Sequence, residues 1–309
     1  MELEKKIVVF NDKSKFVVIS RNIYEHPIED FDKYADDFYK CERLTFLNCT
    51  SHKNFKILKY FPNVTELSLK NSRISEMTGI GCLKGLKRLY LKQNRISEIT
   101  ELNQLVELEE LDISHNFNIN RISGLDNQKK LEYLDLGCNN IAEISGLDNL
   151  RSLKVLNLNN NHIKKIEGLE NLALLEELNL ECNSIRKIEG INSLNNLKEL
   201  YLGYNKISEM EGLYPLRNVT TLHLESNNIT EIKDITSFTK LEVFQIEGNA
   251  IEKISGLNKI IIDNTRYDPN DKIRELSRDD LKIEKIYTLN NVEYMITDEG
   301  IVQLKKPIQ

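Results

Sequence analysis

Apolar residues along most of the chain follow two periods in alternation. In Leu153-Lys-Val-Leu156-Asn-Leu158-Asn-Asn-Asn161 apolar and polar positions alternate, which is the period of a strand with one buried face. Beyond the asparagine, Ile163, Ile166, Leu169 and Leu172 follow at intervals of three. That spacing predicts a 3₁₀ or tight-turn return, too short for a full α-helix. The unit recurs in Leu86-Lys-Arg-Leu89-Tyr-Leu91-Lys-Gln-Asn94 and in Leu197-Lys-Glu-Leu200-Tyr-Leu202-Gly-Tyr-Asn205. Units begin at Cys41, Val64, Leu86, Leu108, Leu131, Leu153, Leu175, Leu197, Val219 and Leu241, at offsets of 22 or 23 residues. Ten units therefore cover residues 41–262, with the extra residue of the fourth near Phe117-Asn118.

One unit cannot bury its own apolar edge, whereas stacked units bury a continuous core behind a parallel sheet. The expected fold is an α/β solenoid with a parallel concave sheet, short 3₁₀ or turn returns on the convex side, and a cap at each end. Each buried Leu or Ile contributes about 1.5–3 kcal/mol. Position nine reads Cys49, Ser72, Asn94, Asn116, Asn139, Asn161, Asn183, Asn205, Asn227 and Asn249. There the chain leaves the sheet and strands backbone N–H and C=O groups, and an amide offers them both donors and acceptors. The asparagines are read as a structural ladder between coils.

These residues resemble the leucine-rich repeat in its 22-residue class. Lys165-Ile-Glu-Gly-Leu169 and Lys187-Ile-Glu-Gly-Ile191 are similar to repeats of the eukaryotic regulatory subunit of protein phosphatase 1. The resemblance implies a non-catalytic interaction scaffold, with a phosphatase catalytic subunit as one candidate partner. That family places aromatic and acidic residues at strand positions three and five, and Glu199 and Tyr201 match. Bacterial internalin repeats are similar in length but carry Ser-Pro-Leu where this chain has Gly-Leu. A surface or secreted adhesin or effector is therefore the first rival reading, and an enzyme built on the terminal segments the second.

Residues 1–40 lack the repeat. Lys6–Phe10 and Phe16–Ile19 flank a polar stretch and predict a hairpin, and Phe31, Tyr34, Ala35 and Phe38 fall at helical spacing. Residues 263–309 also depart from it. Ile273, Leu276 and Leu281 predict a short helix, Ile283–Leu289 and Val292–Thr297 a second hairpin, and Ile301–Leu304 a third strand. Both segments are expected to act as caps, because a solenoid end exposes a raw apolar coil.

Composition then narrows the function. The net charge is −6, which disfavours a nucleic-acid partner, since that needs clustered Lys and Arg. No run of 18 apolar residues exists, so no membrane partner is expected. The opening residues hold no signal-peptide core and the five cysteines are odd in number with no Cys-x-x-Cys, so a cytoplasmic or nuclear monomer with reduced thiols is expected. No P-loop, His-Glu-x-x-His or EF-hand pattern is present, and no histidine is spaced for a metal cluster within one unit. No catalytic residue, cofactor or metal is assigned.

The partner is read from strand positions three, five and seven, which point away from the core. In the first three units they carry Arg43, Lys70, Arg88 and Lys92 with one acid, Glu66. From the fourth unit onward they carry Glu110, Asp112, Asp135, Glu177, Glu181, Glu199, Glu225 and Glu247, and no Lys or Arg. Tyr90, Tyr133, Tyr201 and His223 share the face, with Tyr204 at its edge. Exposed aromatics on a rigid sheet are interface anchors, so these residues are expected to bind a protein with a basic patch.

Overall fold

The structure, a computed structural model, describes residues 6–9, 15–19, 39–47, 55–232, 238, 240–251, 253–254, 261–262, 265–266, 285–289, 292–297 and 300–303. The chain divides into two compact units, Met1–His162 with Asn171–Leu175, and Ile163–Glu170 with Glu176–Gln309.

In the first unit β1 (Lys6–Val9) runs antiparallel to β2 (Lys15–Ile19), and β2 runs parallel to β3 (Arg43–Leu47). Parallel strands β4 (Glu66–Ser68), β5 (Arg88–Tyr90), β6 (Glu110–Asp112), β7 (Tyr133–Asp135) and β8 (Val155–Asn157) follow in sequence order. The register is repeat against repeat, with Leu44, Leu67, Leu89, Leu111, Leu134 and Leu156 side by side. All six are buried. The second unit has the same kind of architecture, with parallel strands β9 (Glu177–Asn179), β10 (Glu199–Tyr201) and β11 (Thr221–His223). On its return side β12 (Glu231–Ile232) will pair with a later short strand. Next to β11 in the sheet lies β13 (Val243–Gln245), and β14 (Lys253–Ile254) is the parallel partner of β12. Beyond them β15 (Ile261–Ile262) pairs with β16 (Thr265–Arg266). The antiparallel strands β17 (Lys285–Leu289), β18 (Val292–Thr297) and β19 (Gly300–Gln303) form a sheet of their own. Both hairpins and the third strand expected at the ends are present; the helices expected around Phe31–Phe38 and Ile273–Leu281 lie outside the described residues.

The returns are turns, with 3₁₀ segments at Lys56–Tyr60 and Ile80–Cys82. Intervals of three apolar residues supply one buried contact per turn and leave no room for regular helix, so the α/β label finds no support in these returns. Coils pack closely where the repeat carries Gly-Leu. A Cβ on Gly190 or Gly212 would lie 2.2 or 2.0 Å from the carbonyl oxygen of Ile166 or Ile188, and both glycines have positive φ.

After each of the repeat strands β4 to β11 the backbone is left-handed at position eight. Asn71, Gln93, His115, Cys138, Asn160, Cys182, Tyr204 and Ser226 all have φ between 51° and 59°. Side chains other than glycine resist this conformation at a cost of about 1–2 kcal/mol. The asparagine that follows holds the turn. Asn161 Nδ2 donates to the carbonyls of Leu136 and Leu158 at 3.0 Å each, and its Oδ1 accepts the Ile141 N–H at 2.9 Å. Asn94, Asn116, Asn205, Asn227 and Asn249 make the same three kinds of bond, two of which reach the preceding coil. Asn183 holds the carbonyl of Leu180 and the N–H of Ile163. The extra residue in the fourth repeat reroutes one rung. There the Ile119 N–H turns to the Asn116 carbonyl, and Asn139 accepts the N–H of Asn116 instead.

Gln128 breaks the core pattern at a position where the neighbouring coils carry Leu105 and Leu150. It is fully buried; its amide donates to the Leu102 carbonyl at 2.7 Å, and its Oε1 has no partner. Leu102 keeps a bond from the Leu105 N–H, so Gln128→Leu is expected to raise stability by about 1–2 kcal/mol. A lowered urea midpoint would contradict that account. Asn161→Leu removes the acceptor of a buried N–H and is expected to cost at least about 1–3 kcal/mol. Asn160→Gly, at the left-handed position beside it, should change stability by about 1 kcal/mol or less. Equal losses for the two asparagine variants would refute the ladder.

Candidate functional site

Position five on the outer sheet face decides what that face displays. Where it is Asp or Asn, the side chain turns back on its own strand exit, because a short carboxylate or amide can accept the N–H two residues on. Asp112 Oδ1 accepts Ser114 N–H at 3.1 Å and Ser114 Oγ–H at 2.6 Å. Asp135 accepts Gly137 N–H at 2.8 Å, Asn157 accepts Asn159 N–H at 3.0 Å, and Asn179 accepts Glu181 N–H at 3.0 Å. Asp112 and Asp135 are only 8% and 7% exposed. The expectation that both display charge on the face is thus corrected: they close local turns. Burial pushes the Asp135 carboxyl up, and its bond from Gly137 opposes the shift.

Where position five is aromatic the ring stays on the face. In the first unit Lys70 Nζ sits 4.5 Å from the centroid of the Tyr90 ring, and the Tyr90 hydroxyl donates to Glu110 Oε2 at 2.7 Å. Glu66 lies between two arginines, 3.1 Å from Arg88 Nε and 3.6 Å from Arg43 Nε. Arg43, Arg88 and Lys70, three of the four bases that the sequence places on this stretch of sheet, are therefore engaged within it. Tyr133 is half-buried, on β7.

The second unit differs. Glu177 and Glu199 are register partners on β9 and β10. Burial, and then the Glu199 carboxylate, push the Glu177 carboxyl up. The Tyr201 hydroxyl donates to Glu199, and its ring meets His223 edge-on with centroids 4.7 Å apart. His223 Nδ1 stands 3.5 Å from Glu181 Oε1. Glu225 is buried rather than displayed, which corrects a second expectation, and burial pushes its carboxyl up. Glu181, His223 and Glu225 each offer a donor atom, all within 4.8 Å of one another. His223 and Glu225 share one repeat, but Glu181 comes from another with a third between them, so no spacing within one repeat signals the full cluster. Tyr204 is 57% exposed at the left-handed position after β10, and Glu247 is exposed.

The Tyr90 phenol is pushed up, first by burial and then by its bond to Glu110. A raised folded-state midpoint means the native state holds this proton longer than the unfolded chain. The stability it contributes is full below the ordinary phenol value of about 10 and is lost as pH rises past it. Glu110→Gln should shift one tyrosine to lower pH in an alkaline phenolate absorbance titration and lessen the alkaline loss of stability. Superimposable titrations of variant and wild type would show that the bond does not hold the phenol.

A family model described as leucine-rich repeats in two copies matches residues 84–127, 106–149, 129–171, 151–193, 173–215 and 217–259. Among solved structures, an internalin (InlF) of Listeria monocytogenes is 28% identical with a TM-score of 0.67, covering 79% of this chain and 70% of that one. A leucine-rich repeat protein of Leptospira interrogans is 23% identical with a TM-score of 0.63, over 78% of this chain and 71% of that one. The functional domain of InlJ from Listeria monocytogenes is 17% identical with a TM-score of 0.60, over 89% of this chain and 68% of that one. The latter two share the fold alone. No curated protein matches the chain. The phosphatase-subunit resemblance rests on the Lys-Ile-Glu-Gly residues and gains no support from these relatives. The repeat, its asparagine ladder and the matched span of the family model agree: this chain belongs to the leucine-rich repeat family.

Proposed function

We propose that the chain is a non-catalytic protein-interaction scaffold, and that the acidic sheet face of its second unit receives a protein partner with a basic patch. The observation that carries the reading is the Glu177–Glu199 pair. Two carboxylates stand side by side, one of them pushed up by burial and then by the other, and positions three, five and seven of the repeats beginning at Leu175, Leu197, Val219 and Leu241 hold no Lys or Arg. An incoming cation relieves that repulsion, and summed surface charge steers its approach. Tyr201 and Tyr204 add aromatic area, and a rigid sheet loses little conformational entropy on binding. The scaffold acts as a monomer without cofactor.

The segments 1–40 and 263–309 serve as caps in this reading. In support, β2 pairs with the first repeat strand β3, and in the second unit β17 lies beside β13 and β19 beside β15. Phe46, Phe55, Leu58 and Phe61 of the first coil are buried. Among the described residues no helix is long and apolar enough to cross a membrane. The first reading places the scaffold in the cytoplasm or nucleus, where a phosphatase catalytic subunit is one candidate partner by resemblance. The similarity to internalins favours a second reading at least as well, a bacterial surface or secreted adhesin or effector. Both use the same display of a rigid face.

The test is charge reversal. Glu177→Lys with Glu199→Lys should abolish capture of the partner from native lysate at low salt and leave the melting midpoint nearly unchanged, because partly exposed charges contribute little to folding. Wild-type capture should weaken as salt rises. Capture at wild-type strength by the double variant would remove this face as the site.

A further inference from the structure

Position seven of three successive coils in the second unit reads Glu181, Gly203, Glu225. The glycine makes space that a neighbouring side chain fills. A Cβ built on Gly203 would lie 2.3 Å from Glu225 Oε1 and 2.5 Å from its carboxyl carbon. The Glu225 carboxylate therefore lies flat over the middle coil, directed toward the coil that bears Glu181. Glu225 is 8% exposed and its Oε2 has no hydrogen-bond partner. A buried carboxylate oxygen left unpaired is unfavourable, and the column offers no cation of its own. His223 stands two residues before Glu225 on the same strand face. Its Nδ1 is 3.5 Å from Glu181 Oε1, and its ring is braced edge-on by Tyr201.

We propose that Glu181, His223 and Glu225 form a binding site for a divalent transition-metal ion. The donor set is two carboxylate oxygens and one imidazole nitrogen, all within 4.8 Å of one another. Donors around a tetrahedral ion stand about 3.4 Å apart at metal–ligand distances of about 2.0–2.1 Å. Side-chain rotation of Glu181 and His223 closes the difference while the strands stay in register. An imidazole with two carboxylates suits zinc or manganese better than calcium, which takes a larger set of oxygens. The ion neutralises both carboxylates, supplies the missing partner of Glu225 Oε2, and keeps an open position for water or a donor from outside. The His223 and Glu181 side chains are 18% and 24% exposed, which leaves a path of entry. Bound metal would clasp the seventh and ninth repeats across the eighth.

The site is tested without any partner, so its outcome is separate from that of the interaction reading. Full-length protein, freed of metal with a chelator and with its thiols alkylated, is titrated with Zn²⁺ and, separately, Mn²⁺ by calorimetry. One ion should bind per chain and raise the melting midpoint. Glu225→Gln and His223→Gln should each weaken binding by about tenfold or more. Gly203→Ala, which displaces the Glu225 carboxylate and leaves all three ligands in the sequence, should weaken it too. Glu225→Gln also removes an unpaired buried charge. Its metal-free melting midpoint should therefore equal or exceed that of the wild type, which distinguishes a lost ligand from a damaged fold. Absence of binding by both ions, or wild-type affinity in the Glu225 and His223 variants, would overturn the site.

Discussion

The rest of this structure depends on where the backbone groups go when a strand ends. Among the described residues the coils after β4 to β11 leave the sheet through a left-handed residue, and the turn exposes carbonyls on one side and an N–H on the other. One asparagine amide meets both needs. Its Nδ2 takes the carbonyl at position six of its own coil and of the preceding one, and its Oδ1 takes an N–H of the preceding coil. The bonds run between coils as well as within them, so the ladder sets the spacing and register of neighbours together. Leucine burial supplies most of the cohesion, but a leucine column alone would tolerate slippage that the amides forbid.

Strict register has a consequence for chemistry. Side chains one repeat apart in sequence are neighbours across the sheet, so the outer face is read in columns rather than along the chain. From the third repeat to the ninth, position five is a column of turn-closing Asp and Asn interrupted by Tyr90, Tyr201 and His223. From the fourth repeat onward position seven mixes small or amide residues with acids, and each glycine in it lets an adjacent side chain lie flat. Gly137 makes room for Asn159, as Gly203 does for Glu225. The small residues thereby decide which polar groups approach one another.

The charge on the outer face has two characters. In the first unit Arg43, Arg88 and Lys70 are held by Glu66 and Tyr90, and Tyr90 in turn by Glu110. Each of these three cations thus has a partner within the face. In the second unit Glu177 and Glu199 face each other without such a cation, and Tyr201 donates to Glu199 only a neutral hydroxyl. A carboxylate pair relieved by nothing in its own column is where an external positive group gains most. The ion pairs Lys87–Glu109, Lys154–Glu132 and Lys198–Glu176 at position two, all substantially exposed, contribute little to stability.

Much of the molecule was legible in the residues themselves. The two periods, the recurring asparagine and the offsets of 22 or 23 residues specify parallel strands, turn-like returns and the ladder. Those features are local or repeat at a constant interval, so spacing alone expresses them. The extra residue near Phe117 was visible as well, though not the rerouted rung it causes. Alternation also assigned the outer face, but it could not tell display from burial. Asp112 and Asp135 fold back onto the N–H two residues ahead, and Glu225 sinks over the glycine of another coil. The two aspartate bonds are local, though alternation does not express them; only the tertiary structure decided the burial of Glu225, and only it joined Glu181 to His223 and Glu225. The physical reason is distance along the chain: these groups lie about two repeats apart, and what brings them together is the empty Cβ position of a residue between them.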